Sequence, residues 1–220
     1  MKKKIAILAF FVLTGINVFA QNNRFFSMGI GGQFLSGFNG GFESSWNIPP
    51  LPPGYTNEKW TYFSGGIYCF FDARYAELNL GFFTGTQTII SEGEPGSWKN
   101  NNKDKMTGLN FALLGKYPFK LGEKIAIFPL LGVEYMLILS LEDNYSQSYK
   151  LSKSMFNQFW FKAGGGVDFS LSDRWFLRMD ALYGIRLATK AENKRAEMNG
   201  SKSTLLGHGL TLRAAVGFRL

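Results

Sequence analysis

The sequence has a single cysteine, Cys69, and a single histidine, His208. One thiol excludes an intramolecular disulfide, and one Cys with one His cannot supply an ordinary zinc ligand set. No cofactor or metal is expected. Nowhere beyond the first residues does the chain approach 18 uninterrupted apolar residues, which excludes a helical inner-membrane protein. Clustered basic residues are also missing. The formal charge of +8 becomes +5 once Lys2, Lys3 and Lys4 are set aside, and the excess is scattered, so no nucleic-acid partner is expected. The glycine-rich pieces Gly29–Gly32 and Gly164–Gly166 lack the helix N-terminus that a phosphate cradle needs. Strand glycines more often mark bends or crowded interior positions.

What is present begins with an export signal. Lys2 to Lys4 form a basic n-region and Ile5 to Leu13 a short apolar run. Val18-Phe19-Ala20 then offers a cleavage site. Residues 1–20 are therefore expected to be a signal peptide and 21–220 one mature domain, exported without a lipid anchor because no cysteine follows the site. The sequence is rich in glycine (26) and phenylalanine (22), with 9 tyrosines and 5 tryptophans, yet mean hydropathy is only −0.06. That combination fits a chain apolar at every second residue, the pattern of a membrane barrel.

The alternation is explicit. In Arg174 to Ala188, Trp175, Leu177, Met179, Ala181, Tyr183, Ile185 and Leu187 oppose Arg178, Asp180, Gly184 and Arg186. Similar runs lie at Phe25–Ser36, Arg74–Ile90, Met106–Pro118, Met155–Leu171 and Thr204–Leu220. Trp60–Phe71 is aromatic on both parities, and Ile125–Leu141 is apolar on both with Pro129 inside it. Pro129 is expected near a membrane boundary or at a bulge. The joins around Asp72-Ala73, Leu121–Glu123 and Ser172-Asp173 are tight. Those around Gly37–Lys59, Ser91–Lys105, Glu142–Ser154 and Lys190–Ser203 are long and polar. The fold class is therefore all-β: an eight-stranded antiparallel up-and-down transmembrane β-barrel with four long external loops and both termini on the periplasmic side. Aromatics gather at the strand ends, with Trp60, Phe63, Phe156 and Trp160 near the long loops and Phe71, Tyr75, Phe119 and Trp175 near the short turns. Rings of this kind favour the two membrane interfaces.

Parity turns a set of charges inward: Glu77, Lys116, Glu134, Lys162, Asp168, Arg178, Asp180, Arg186, Arg213 and Arg219. Eight strands leave an interior just wide enough for side chains to fill. Opposite charges there are expected to pair as a plug, the competing reading being a narrow solute path. His208 has the outward parity, near the external rim. In the loops, Asn47–Tyr55 is a proline-rich segment suited to polyproline II that could present Trp46 or Tyr55 to a partner, or cover the barrel mouth. Lys99–Lys105 reads as a solvated loop tip.

The last strand has Leu210, Leu212, Ala214, Val216, Phe218 and Leu220 on alternating positions up to the carboxyl end. It resembles the terminal signal of outer-membrane β-barrel proteins, which usually close on an aromatic. With the signal peptide and the eight-strand rhythm, the mature chain is similar to the small OmpA-, OmpX- and OmpW-type barrels of that family. The resemblance implies residence in the cell outer membrane among its lipid, and assembly by the outer-membrane barrel insertion machinery. It also implies a role between adhesion, through an external ligand or host surface met by the loops, and passage of small molecules. No peptidoglycan-binding domain is expected after the last strand, unlike the full OmpA-type arrangement. Lipid A deacylases built on eight-stranded barrels place a His-x-Ser pair on the outer face. Here Gly209 and Leu210 follow His208, and the serine is missing. The expectation is a non-enzymatic barrel with a structural or surface-interaction role. The alternatives are a narrow OmpW-like conduit for small or hydrophobic solutes, or an outer-face lipid-modifying enzyme.

Overall fold

The computed structural model describes residues 26–38, 57–92, 99–142, 157–187 and 207–220. The expected signal peptide, Trp46 with the proline-rich segment, Phe156, and the expected connection at Lys190–Ser203 lie outside the described residues.

Nine strand segments follow one another: β1 (Ser27–Phe38), β2 (Asn57–Asp72), β3 (Ala76–Glu92), β4 (Lys99–Lys116), β5 (Phe119–Leu121), β6 (Ile125–Glu142), β7 (Gln158–Ser170), β8 (Trp175–Leu187) and β9 (Gly207–Arg219). All pairings are antiparallel. The sheet runs β4-β3-β2-β1-β9-β8-β7-β6-β5, and β4 also pairs with β6, which closes it. The segment β5 pairs with β6 alone and prolongs the course of β4 past Tyr117-Pro118. The barrel wall therefore has eight strands. Closure leaves no long edge to pair with another chain.

At the end that holds both Ser27 and Arg219, the connections are short. Residues 73–75 and 171–174 join neighbouring strands, and Gly122 turns β5 into β6 with a φ of 79°. That left-handed conformation suits glycine. Arg74 adopts it too, at 61°. In this turn the Ala73 amide donates to the Ala76 carbonyl.

One expectation changes, and one of two alternatives for Pro129 falls away. Ser91–Lys105 is not a long loop. The β3–β4 ladder continues to Glu92 opposite Lys99, which leaves only residues 93–98 as the connection, and Lys99–Lys105 is strand rather than loop tip. The cause lies in what the outer face meets. Along β3 and β4 that face changes from Phe82 and Leu109 to Thr84, Thr86, Thr107 and Lys105. Once the outer face is polar, the period-two signal fades although the hydrogen-bond ladder does not. Pro129, in turn, is not the bulge. The irregularity in the β4–β6 ladder lies at Thr107/Gly108. Pro129 falls in the gap between the last β4 partner (Lys116 opposite Leu130) and the first β5 partner (Phe119 opposite Ile127). No donor is demanded from it on that side, so the missing N–H costs little.

The outer surface is apolar around the whole circumference. Ile30, Phe34, Ile67, Phe82, Leu113, Leu131, Phe161, Met179 and Leu212 are all exposed. A soluble monomer rarely exposes a contiguous patch of more than a few hundred Å², whereas a band encircling a barrel is the surface that meets hydrocarbon. Along β2 the band runs from Phe63 to Phe71, close to the roughly 9–11 residues a tilted strand needs to cross. A girdle of rings marks its lower margin. Tyr117 packs against Tyr75 and Phe119 with centroids 5.9 and 4.9 Å apart, and Trp175 packs against Phe218 at 5.1 Å. The expected ring positions Phe71, Tyr75, Phe119 and Trp175 are all exposed there, as is Phe63 at the other margin. Trp160 instead lies inside, buried.

Candidate functional site: the charged lumen

The lumen is filled, and glycines let it be so. Large inward side chains stand beside inward glycines on the next strand. A Cβ on Gly29 would come within 2.4 Å of the Phe70 ring, one on Gly166 within 2.5 Å of Phe128, and one on Gly217 within 2.2 Å of Phe176. Those three rings surround one cation. The Arg178 guanidinium lies 4.3 Å from the Phe70 centroid, 5.1 Å from Phe128 and 5.2 Å from Phe176. Such stacking is favourable when desolvated. Gly217→Ala is therefore expected to force the Phe176 ring off its seat and cost about 1–3 kcal/mol. Equilibrium unfolding of the refolded barrel checks this, and an unchanged midpoint would mean the rings have slack.

Arg178 is 1% exposed and ties three strands to β8. Its Nε donates to Asp168 Oδ1 at 2.7 Å, Nη1 to Glu77 Oε2 at 2.6 Å, and Nη2 to Asp72 Oδ2 at 2.6 Å and Asp168 Oδ2 at 2.7 Å. Lys116 adds a second cation, with Nζ 2.5 Å from Asp72 Oδ2 and 3.7 Å from Asp168 Oδ2. Arg213 donates from Nε to Asp180 Oδ1 at 2.6 Å, and its Nη2 stands 3.9 Å from Glu77 Oε1. These contacts join six strands into one network. Charge-assisted bonds of this length are the strong class.

A second group lies beside it. Lys162 Nζ donates to Glu134 Oε1 at 2.6 Å and to Thr211 Oγ1 at 2.5 Å. Asn110 Nδ2 donates to Glu134 Oε2 at 3.3 Å and to Gln33 Oε1 at 3.2 Å, while Gln33 Nε2 donates to Asn110 Oδ1 at 2.8 Å. Towards the long-connection end the interior becomes apolar. Leu35, Tyr62, Phe83, Met106, Met136, Ile138 and Trp160 form one cluster. The lumen thus has an ionic layer at the short-turn end, a mixed polar layer, and an apolar layer at the other.

Of the ten residues that parity turned inward, Glu77, Lys116, Asp168, Arg178, Asp180 and Arg213 meet in the first network, and Glu134 and Lys162 in the second. Arg186 is buried near the outer end, beside Trp160 in the ladder. Arg219 sits half-buried at the short-turn end, donating from Nη2 to Ser170 Oγ at 2.7 Å with its guanidinium 4.9 Å from the Phe176 ring. Two buried carboxylates were missed, Asp72 and Asp104. Both fell in segments assigned to connections. Continuing the parity of Tyr68 and Phe70, or of Met106 and Gly108, would have turned them inward.

His208 has the outward parity but is covered, only 8% exposed. Its Nδ1 shares a short hydrogen bond with the Tyr183 hydroxyl, and its ring lies 5.9 Å from those of Phe38 and Tyr183.

No protein-family model and no curated protein matches the sequence. Among solved structures, the chain is similar to the outer membrane protein OprG from Pseudomonas aeruginosa. That likeness has a TM-score of 0.51 and 12% identity, over 91% of this chain and 98% of that one. Two others are matched at lower scores. The attachment invasion locus protein Ail of Yersinia pestis has a TM-score of 0.38 and 12% identity, over 89% of this chain and 97% of that one. The translocator domain of autotransporter NalP from Neisseria meningitidis has a TM-score of 0.36 and 12% identity, over 99% and 96%. The OprG likeness is one of fold. With the closed antiparallel sheet it makes this chain an outer-membrane-type eight-stranded β-barrel.

Proposed function

We propose that the protein resides in an outer membrane as a closed, non-enzymatic barrel, with a structural or surface-interaction role carried by its outer-end connections. The observation that supports this most is the Arg178 knot. One guanidinium bound to three carboxylates from three other strands, and packed among three rings, occupies the lumen where a solute path would have to run. Eight strands leave little room beside such a plug. The apolar band supplies the contact with lipid, and export depends on the basic and apolar residues of 1–20.

Planar-bilayer recording tests the closed lumen. The refolded protein is expected to give no discrete conductance steps. Asp180→Ala, which leaves Arg213 with only Glu77 at 3.9 Å, is expected to lower the unfolding midpoint while remaining silent. Stable Asp180→Ala barrels with new ion flow would favour a solute conduit instead. Topology is tested on intact cells. An epitope inserted within residues 93–98 is expected to be reached by antibody, and one at Asp173 only after permeabilisation. Equal labelling at both sites would contradict the assigned orientation.

A further inference from the structure

Beside the Arg178 knot, the polar atoms of the lumen do not all close on one another. The Arg213 side chain is wholly buried and its Nε is bonded to Asp180, yet neither Nη1 nor Nη2 makes a hydrogen bond. Asp180 Oδ2, Asn79 Oδ1 and the Tyr68 hydroxyl are also buried and unbonded. These atoms are neighbours. The Arg213 guanidinium lies 5.2 Å from the Tyr68 ring. Asn79 Nδ2 donates at 2.9 Å to Glu77 Oε1, the same oxygen that Arg213 Nη2 approaches at 3.9 Å. Buried nitrogen donors and oxygen acceptors from β2, β3, β8 and β9 therefore lie in one part of the lumen without direct bonds to one another. Leaving so many buried polar groups unmet is costly, and native proteins rarely do it.

We propose that the centre of the lumen is a binding site for internal water. Bridging waters there join the Arg213 Nη donors to Tyr68 Oη, Asn79 Oδ1 and Asp180 Oδ2. The chemistry selects a small neutral molecule that both donates and accepts. The Glu77 and Asp180 carboxylates oppose an anion, and Arg213 opposes a cation. Buried waters typically take two to four polar partners, and this set supplies them. One wall is the Arg178 guanidinium with Phe70, Phe128 and Phe176, and the other is the Gln33–Asn110 pair with Glu134 and Lys162. The waters are therefore enclosed and exchange slowly with bulk. The inference rests on the closed-lumen reading.

The test is water-selective nuclear Overhauser spectroscopy on the full chain, refolded in deuterated detergent and labelled at the arginine side chains. The expected result is a strong contact between long-lived water and the Arg213 N–H groups and a weaker one at Arg178, whose Nε and both Nη nitrogens already donate to carboxylates. Tyr68→Phe keeps the ring and removes the hydroxyl, so it should weaken the Arg213 contact and leave the Arg178 resonances unmoved. No water contact at Arg213 in the native chain would overturn the site while leaving the closed lumen standing. Rapidly exchanging water at Arg178 and Arg213 alike would overturn both. An Arg213 signal indifferent to Tyr68→Phe would remove that hydroxyl from the site. Should the variant not refold, the comparison of the two arginines in the native chain decides by itself.

Discussion

Arg178→Met is expected to lower the unfolding midpoint of the refolded barrel more than any other single change inside the lumen. The substitution keeps length and apolar bulk against Phe70, Phe128 and Phe176, but leaves Asp72 and Asp168 with Lys116 alone and Glu77 with only Arg213 at 3.9 Å. Removing one partner from a buried charge network typically costs about 3–5 kcal/mol. The loss arises from carboxylates left behind rather than from the attraction removed, so a compensated variant should recover. Asp168→Asn added to Arg178→Met removes one stranded charge and is expected to return part of the midpoint. Denaturant titration in detergent followed by tryptophan emission provides the measurement. An Arg178→Met barrel as stable as the native one would mean that these groups are hydrated independently rather than bound in one knot.

Leu212→Arg is expected to produce a loss of similar size by a different route. Leu212 faces outward, opposite Phe34 on one side and Ala181 on the other, well above the Trp175–Phe218 girdle. A cation on the lipid face costs about 2–4 kcal/mol near the bilayer midplane and little near the interfaces. Leu177→Arg, only two residues above Trp175, is therefore expected to cost less than Leu212→Arg although both positions face lipid. Unfolding from vesicles should reveal this depth dependence, and the same pair in short-chain detergent should differ less. Equal and negligible effects at both positions would place this face in water.

Much of this arrangement was legible in the sequence because a barrel that meets lipid outside and packs charges inside writes both conditions into alternate residues. In β8, Leu177, Met179 and Ala181 against Arg178 and Asp180 fix the facing of every side chain between them. Legibility failed where the outside is not lipid. Above Leu109 the outward residues of β4 are Thr107, Lys105 and Lys103, so a continuing strand reads as a loop, and Asp104 was lost with it. It failed again at Asp72, the last residue of β2, where a turn was expected and the Arg178 knot has one of its carboxylates. The apolar interior was the third gap. Tyr62, Tyr68 and Phe70 point inward in Trp60–Phe71, and Phe128, Leu130 and Met136 in Ile125–Leu141, so both segments carry large apolar residues on both parities. The inward glycines beside those rings hold the information, but only the register shows which glycine serves which ring.

Leu212 and its parity meet hydrocarbon in this barrel, while Trp160 and its parity do not. Quenching by lipids brominated along the acyl chain tests it in one comparison. In one variant Trp46, Trp60, Trp98 and Trp175 are replaced by Phe, so that Trp160 alone emits. In the other Trp160 is replaced as well and Leu212→Trp supplies the only indole. The indole at position 212 is expected to be strongly quenched, and Trp160, buried against Leu35, Phe83 and Met136 inside the wall, to stay bright. Equal quenching, or stronger quenching of Trp160, would contradict the assignment of inside and outside on which the whole account depends.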